Sequence, residues 1–385
     1  MKIVHVTGYF QPELGYEEYY LALNQKKLGH DVYIITSDRI ANLPNLKDSL
    51  KEINSEYNTR FRPVGFSDVN GIKVYRLKTI FEAKDFLIVK GIKKILKEIN
   101  PDVVHTHEPR QFMTMLPALY KKRFGYKLIT DQHDYDIFPT IKSKFMTYVV
   151  RRSICRFAFN RSDKIIAITP ESREFIRRVY DIKKDIIDST LGADTSRFKF
   201  NKEKRDEIRK KFNIKDNVLV ISSGHIGRNK KLEILINAFS KTKNSILMFI
   251  GGGDNGYISE LKDITNKLGI DKRVIFLGRI SQEEMPCYYS AADIGAWPFR
   301  ATITIIEAMA CGLPVVIPNA NTVKHLVQYE NGLTFEDEKD LQNKLSMLID
   351  DKTLRNKLSK NAVSVTKKKF GYDVIAKRYL EIYNS

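Results

Sequence analysis

The sequence predicts an α/β protein made of two doubly wound domains. Short β-branched runs alternate with longer helical patterns almost from end to end, which is how a parallel sheet covered by helices reads. At 385 residues the chain can bury two separate cores. A second series of strands starts after Leu191-Gly192-Ala193-Asp194 and a charged stretch that ends at Lys211. Domains are therefore expected at 1–191 and 192–369, joined near 191–202, with ligands held where strands end and helices begin.

In the first half, strands are expected at KIVHVT, DVYIIT, KVYRL, DVVHTH, KLIT and KIIAIT, and helical spacing at 15–28, 85–99, 109–124 and 142–161. The polar segment 38–70 reads as an irregular loop. In the second half, NVLVISSG, SILMFIGGG, RVIFLG, ADIGAW and LPVVIP read as strands. The final helical stretch, Tyr372 to Tyr383, could belong to either domain.

Composition narrows the function. The three cysteines, Cys155, Cys287 and Cys311, are far apart and lack C-x-x-C spacing, as expected for free thiols in a reducing cytoplasm. Neither a signal peptide nor an apolar run of bilayer-spanning length is expected. The 65 Lys+Arg exceed the 46 Asp+Glu, giving a formal net charge of +19 that favours phosphates or an anionic membrane surface. The basic residues are spread through helices and match no zinc-finger, RRM or homeodomain pattern, so nucleic acid is not an expected partner.

Three stretches could carry the chemistry of a phosphate-bearing ligand. In ISSGHIGRNKKLEIL, a strand ends at Gly224 and a helix is expected to begin near Lys230, with His225, Arg228, Lys230 and Lys231 in the turn. Glycine lets the backbone approach a ligand, a helix start offers free N–H groups, and cations add charge. A solvated basic loop is the plainer alternative, because cations at a helix start oppose its dipole. The turn Gly251 to Gly256 fits G-x-G-x-x-G, yet the following strand offers no carboxylate to hold a ribose, so it reads as a close-packed turn beside a ligand cleft. In TITIIEAMACGLPVVIP, Glu307 stands alone in an apolar helix that Gly312 and Pro314 bring to an end. Either it meets a ligand, or Thr304 and Glu307 form a capping box.

In the first half, PELGYEEYY places Gly15 in a loop that opens a helix. His105, His107, Asp131, His133, Asp134 and Asp136 gather at strand ends, but their spacing matches no metal motif. No metal is expected, and His133 is the candidate for a polar catalytic contact. The stretch Lys142 to Arg161 interleaves cations with aromatic and aliphatic residues. Its apolar residues read as a stripe facing the core. Arg151, Arg152 and Arg156 could face a membrane.

Together these motifs resemble the family 4 glycosyltransferases across nearly the whole chain. The resemblance rests on Pro12-Glu13-Leu14-Gly15, Leu28-Gly29-His30-Asp31-Val32, Gly192-Ala193-Asp194, Gly224 to Lys230, Gly251 to Gly253 and above all Glu307 to Val316. It implies a GT-B fold, with two doubly wound Rossmann-like domains facing a central cleft and a C-terminal helix of about 370–385 packing back on the first. It also implies retaining transfer from a UDP- or GDP-linked sugar to a glycan or lipid-linked acceptor, with no cofactor and no metal. The place of work would be cytoplasmic, peripheral on the inner face of the membrane.

In that reading Glu307 accepts hydrogen bonds from ribose hydroxyls, Lys230 holds the diphosphate, His133 lies near the transferred sugar, and Gly15 approaches the phosphates. Gly224, His225, Arg228, Gly251 and Thr304 complete the donor site. Three positions depart from the family pattern. His225 replaces an arginine, Tyr16 replaces a second glycine, and Phe299 replaces a glutamate that would touch the donor hexose. Two other readings share the scaffold: a nucleotide-sugar epimerase or phosphorylase, and a noncatalytic sugar-nucleotide binding protein.

Overall fold

The computed structural model describes residues 1–41, 59–83, 86–109, 111–133, 141–299 and 303–385; within 141–151 only Val149 has a described side chain. The described chain divides into two compact units, Met1–Thr190 with Ile375–Ser385, and Leu191–Val374.

The first unit begins with β1 (Lys2–Val6), α1 (Glu17–Lys27), β2 (Asp31–Ser37), β3 (Gly65–Val69) and β4 (Ile72–Leu77). A hairpin of β5 (Thr79–Ala83) and β6 (Phe86–Val89) precedes α2 (Ile92–Ile99) and β7 (Val103–His107). Then come α3 (Phe112–Phe124), β8 (Lys127–Gln132), α4 (Ile141–Arg161), β9 (Lys164–Ala167), α5 (Pro170–Tyr180) and β10 (Ile186–Asp188). The sheet runs in the order β10-β9-β8-β7-β1-β2-β4-β3, parallel throughout except for β3 against β4. Ile3, Val4 and Val6 are fully buried because helices cover both faces of a parallel sheet.

The second unit holds α6 (Lys202–Lys211), β11 (Val218–Ser223), α7 (Leu232–Ser240), β12 (Ser245–Ile250), α8 (Asn255–Lys267) and β13 (Val274–Gly278). These are followed by α9 (Met285–Ala291), β14 (Ile294–Ala296), α10 (Ile303–Ala310), β15 (Val315–Pro318), β16 (Gly332–Phe335), α11 (Glu338–Asp350) and α12 (Lys352–Val365). The last helix, α13, spans Tyr372–Asn384. This sheet is parallel, in the order β13-β12-β11-β14-β15-β16. One core packs α6, α9, α10 and α12 on one face around Tyr289, Ile305 and Met309. The other packs α7, α8 and α11 around Phe239, Leu261 and Leu345.

Among the parallel strands of each sheet the order reverses once, between β1 and β7 in the first unit and between β11 and β14 in the second. The loops leaving those strands part there, which opens a crevice at their carboxyl ends.

Three expectations need correction, and two short strands were not expected at all. The helix expected over 85–99 starts only at Ile92, because Gly91 (φ 105°) breaks the chain and Phe86–Val89 pairs as a strand. The segment 38–70 is not irregular throughout: β3 pairs with β4 through Asn70-Gly71, both at positive φ, the conformation a two-residue hairpin turn demands. Residues 42–58 of that segment lie outside the described residues. The helix expected near Lys230 is a single 3-10 turn, Arg228–Lys230, and α7 begins after Lys231 at φ 52°. Finally, the short strands β10 and β16 carry too few alternating residues to stand out in the sequence.

Candidate active site

In the second unit, Glu307 lies on α10, the helix between β14 and β15. Thr304 lies inside the first turn of α10, which starts at Ile303, so it is not the N-cap and the Thr304–Glu307 capping box does not form. Only 3% of Glu307 is exposed. Gln282 Nε2 donates to Glu307 Oε1 at 3.2 Å. Burial pushes the Glu307 carboxyl up to about 7, and it would rise further without the Arg197 guanidinium and the Gln282 amide. A carboxylate so poorly matched by its protein partners retains acceptor capacity for a ligand hydroxyl.

Two loops beside it are joined backbone to backbone. Gly224 N donates to Ile250 O at 2.9 Å, Ile226 N donates to Gly252 O at 3.0 Å, and Asp254 N donates to Ile226 O at 2.9 Å. A Cβ at Gly251 would sit 1.9 Å from Gly224 O, and one at Gly253 would sit 1.9 Å from Ile226 O. This close approach explains Gly251 and Gly253 in the 251–256 turn. Burial and the cations of Lys230 and Arg279 hold His225 below its ordinary range. His225 and Lys230 therefore share one basic corner with Arg279. Arg228 is turned elsewhere: it pairs with Glu260 and lies 5.4 Å from the centre of the Tyr257 ring. The first N–H of α7, on Leu232, donates to Tyr257 Oη at 2.8 Å. Lys231 Nζ lies 5.3 Å from the centre of the Phe299 ring.

In the first unit, Gly15 (φ 63°) closes the turn Pro12–Leu14 and leads into α1. The strand-end histidines form a buried network around Asp131. His107 Nδ1 lies 2.6 Å and His105 Nε2 3.1 Å from Asp131 Oδ2. His133 Nε2 lies 3.4 Å from Asp131 Oδ1 and 3.1 Å from Glu17 Oε2. Behind them, His5 Nε2 donates to Gln25 Oε1 at 2.7 Å, so the neutral ring accepts at Nδ1 from His107 Nε2 at 3.0 Å. Tyr383 Oη contacts His105 Nδ1 at 2.7 Å and accepts from Gln25 Nε2 at 3.2 Å.

Charge is unevenly shared in this network. Burial, then His107 and His105, keep His5 neutral well below its ordinary range. Burial opposes the cationic form of His107 too, but Asp131 outweighs it and raises that group. Burial would raise Asp131, and the His107 and His133 cations instead hold it well below the usual carboxylate range. Among the described residues, the ligating atoms of His5, His105 and His107, and those of His107, Asp131 and His133, lie within 4.8 Å of one another. His5 and His107 are hydrogen-bonded to each other, and every imidazole is within 3.4 Å of another protein group. Asp134 and Asp136 lie outside the described residues.

The residues singled out in the sequence thus fall into two sets, His133 and Gly15 in one unit, and Gly224, His225, Lys230, Gly251, Thr304 and Glu307 in the other. Arg197, Gln282 and Arg279 escaped the sequence reading, as did His5, Glu17, Gln25, Tyr379 and Tyr383. Arg279 alone had a local signal, since it directly follows Gly278 (φ 81°) at the end of β13.

On α4, Cys155, Ala158 and Phe159 are buried, whereas Arg152 and Arg156 are half-buried on the outer side. Arg156 pairs with Asp181 at 3.2 Å. The Arg151 side chain lies outside the described residues. No described helix is long and apolar enough to cross a membrane.

Comparison with known proteins decides the family. Residues 19–189 match the Glycosyltransferase Family 4 model, and residues 204–365 match the model of glycosyl transferases group 1. The chain belongs to the family 4 glycosyltransferases. Among its glycosyltransferase relatives is the GDP-mannose-dependent alpha-(1-6)-phosphatidylinositol monomannoside mannosyltransferase of Mycolicibacterium smegmatis, 22% identical over 64% of this chain and 66% of that protein. The chain spans only 50% of the corresponding Mycobacterium tuberculosis protein. The N,N'-diacetylbacillosaminyl-diphospho-undecaprenol alpha-1,3-N-acetylgalactosaminyltransferase of Campylobacter jejuni is 22% identical over 92% of this chain and 96% of its own length. Among solved structures, Anabaena Alr3699/HepE in complex with UDP superposes with a TM-score of 0.75 at 18% identity, covering 100% of both chains. Sucrose-phosphate synthase from Thermosynechococcus elongatus superposes at 0.75 and 17% identity, covering 100% of this chain and 98% of that one. These likenesses establish the GT-B fold of the chain.

Proposed function

We propose that the protein is a retaining glycosyltransferase that moves a sugar from a UDP- or GDP-linked donor to a hydroxyl of a glycan or lipid-linked acceptor, without a metal. The observation that carries the reading is the buried Glu307, held by Gln282 near Arg197, in the unit where the joined glycine loops present His225, Lys230 and Arg279. Glu307 would bind the ribose hydroxyls. The basic corner would take the diphosphate, whose negative charge grows as the sugar leaves, and preorganised cations stabilise that charge most where it develops. Lys230 and Arg279 would then do what a divalent ion does in other transferases. Names of relatives point the same way: one uses GDP-mannose, and one solved neighbour holds UDP.

A specific observation favours a second reading. Phe299 occupies the position where the resemblance leads one to expect a hexose-binding glutamate, and Lys231 lies over its ring. A noncatalytic sugar-nucleotide binding protein would tolerate this. The test is a panel of UDP-, GDP- and ADP-sugars, scored first by the rise in melting temperature and then by nucleoside diphosphate released with candidate acceptors. Acceptor-dependent release establishes transfer; a thermal shift with no release under any acceptor favours the binding protein.

A further inference from the structure

The polar network of the first unit has a shape that donor binding in the second does not require. Two carboxylates on different elements, Glu17 on α1 and Asp131 on β8, approach the same atom, Nε2 of His133, at 3.1 and 3.4 Å. Neither carboxylate is free to turn away. Tyr379 Oη donates to Glu17 Oε1 at 3.1 Å, which leaves Oε2 for His133. Asp131 is gripped by His107 and His105 through its other oxygen, Oδ2. Both carboxylates are buried, with exposures of 2% for Glu17 and 0% for Asp131, whereas the His133 side chain is 23% exposed. The ring is thus anchored at one nitrogen, from inside, and its other nitrogen is the one left to address a ligand.

We propose that Asp131 and Glu17 are positioning residues that hold His133 as a cationic imidazolium, so that its Nδ1–H is a fixed hydrogen-bond donor to an oxygen of the bound substrate rather than a base toward the acceptor hydroxyl. A single carboxylate behind a histidine orients the ring and leaves the far nitrogen as a base. Two carboxylates on one nitrogen favour the second proton, because both gain from the added charge.

The groups around His133 agree. Burial disfavours its charge, but Glu17 and Asp131 outweigh burial and keep the proton well above the ordinary histidine range. Glu18 on α1, whose carboxyl burial pushes up to about 7, also faces this region, and His107 on β7 is the opposing cation. Tyr379 on α13 stays a neutral hydroxyl, since burial and then Glu17 raise it. The inference rests on the transferase reading only for the identity of the substrate oxygen.

The test observes the ring directly. The seven histidines of the full chain are labelled with ¹⁵N in the imidazole, and His133 is assigned by the signal lost in His133→Gln. Both nitrogens of His133 should remain protonated at pH 8. In Asp131→Asn and in Glu17→Gln the midpoint should fall by at least about one pH unit. A His133 that is neutral at pH 7.5 in the unaltered chain, or a midpoint unmoved in both variants, overturns the proposal. The ring signal reads His133 whether or not nucleoside diphosphate is released, so failure of the transferase reading is separately visible. Where release is measured, kcat/KM should fall as pH rises through the His133 midpoint, and that limb should move down in both variants. A structural role alone would lower stability and leave the limb in place.

Discussion

Gln282 Nε2 lies 3.2 Å from Glu307 Oε1 and donates to it, a single neutral hydrogen bond to a carboxylate that is only 3% exposed. The sign of the resulting pH effect is fixed. Below the unfolded value near 4.5 both states are protonated and no penalty arises; as pH rises toward 7 the unfolded chain ionises freely while the buried group cannot. Stability is therefore lost across that window. At about 1.4 kcal/mol per unit the loss is of order 3 kcal/mol.

Glu307→Gln should accordingly melt at a higher temperature than the unaltered protein at pH 8 and at the same temperature near pH 4. Donor affinity should fall at pH 8 by roughly 1.5–3 kcal/mol, the worth of a charge-assisted hydrogen bond to a hydroxyl. Melting curves at two pH values, with donor titrations at the upper one, check both. A variant less stable at pH 8 with unchanged affinity would restore a purely structural role.

Lys230→Ala and Arg279→Ala should each lower the transfer rate by about 10²-fold, since each removes a cation from the developing diphosphate charge. Arg228→Ala should cost little, because Arg228 is engaged with Glu260 on an exposed face. Steady-state rates on the three variants decide whether Arg279 or Arg228 serves the phosphates.

How much of this was legible beforehand follows from where the information sits. Glu307 was visible because one carboxylate interrupts an apolar helix that Gly312 and Pro314 close. Its partners Arg197 and Gln282 were not, nor was Arg279 beside His225: the three lie on loops, and tertiary folding alone brings them to their sites. His5 hides inside a β-branched strand, where its period marks it as core, and its link to Gln25 and Tyr383 spans most of the chain. The Asn70-Gly71 hairpin carried a clear local signal, masked by the polar stretch before it.

Activity should survive excess EDTA. A loss restored by Mn²⁺ would contradict the assignment of charge stabilisation to Lys230 and Arg279, and would recast His107, Asp131 and His133 as ligands.

Replacing Arg151, Arg152 and Arg156 with Gln should weaken co-sedimentation with anionic vesicles. Arg156 must leave Asp181 to reach the vesicle. A cation near anionic lipid gains ~1 kcal/mol. Raising salt from 0.1 to 1 M, which shortens the Debye length from ~10 to ~3 Å, should abolish the effect. Equal pelleting with neutral vesicles would remove the membrane role.

The first unit is a host and the second a guest. Leu191–Val374 enters after Thr190 and hands the chain back at Ile375, so a fragment ending at Thr190 loses the hydroxyls that Tyr379 and Tyr383 give to Glu17 and His105. The two cut ends are neighbours, since the Arg378 guanidinium donates to Asp188 O at 2.7 Å. Excising the guest and bridging Thr190 to Ile375 with a few glycines should therefore yield an independently folding host that keeps its histidine network, whereas simple truncation should not.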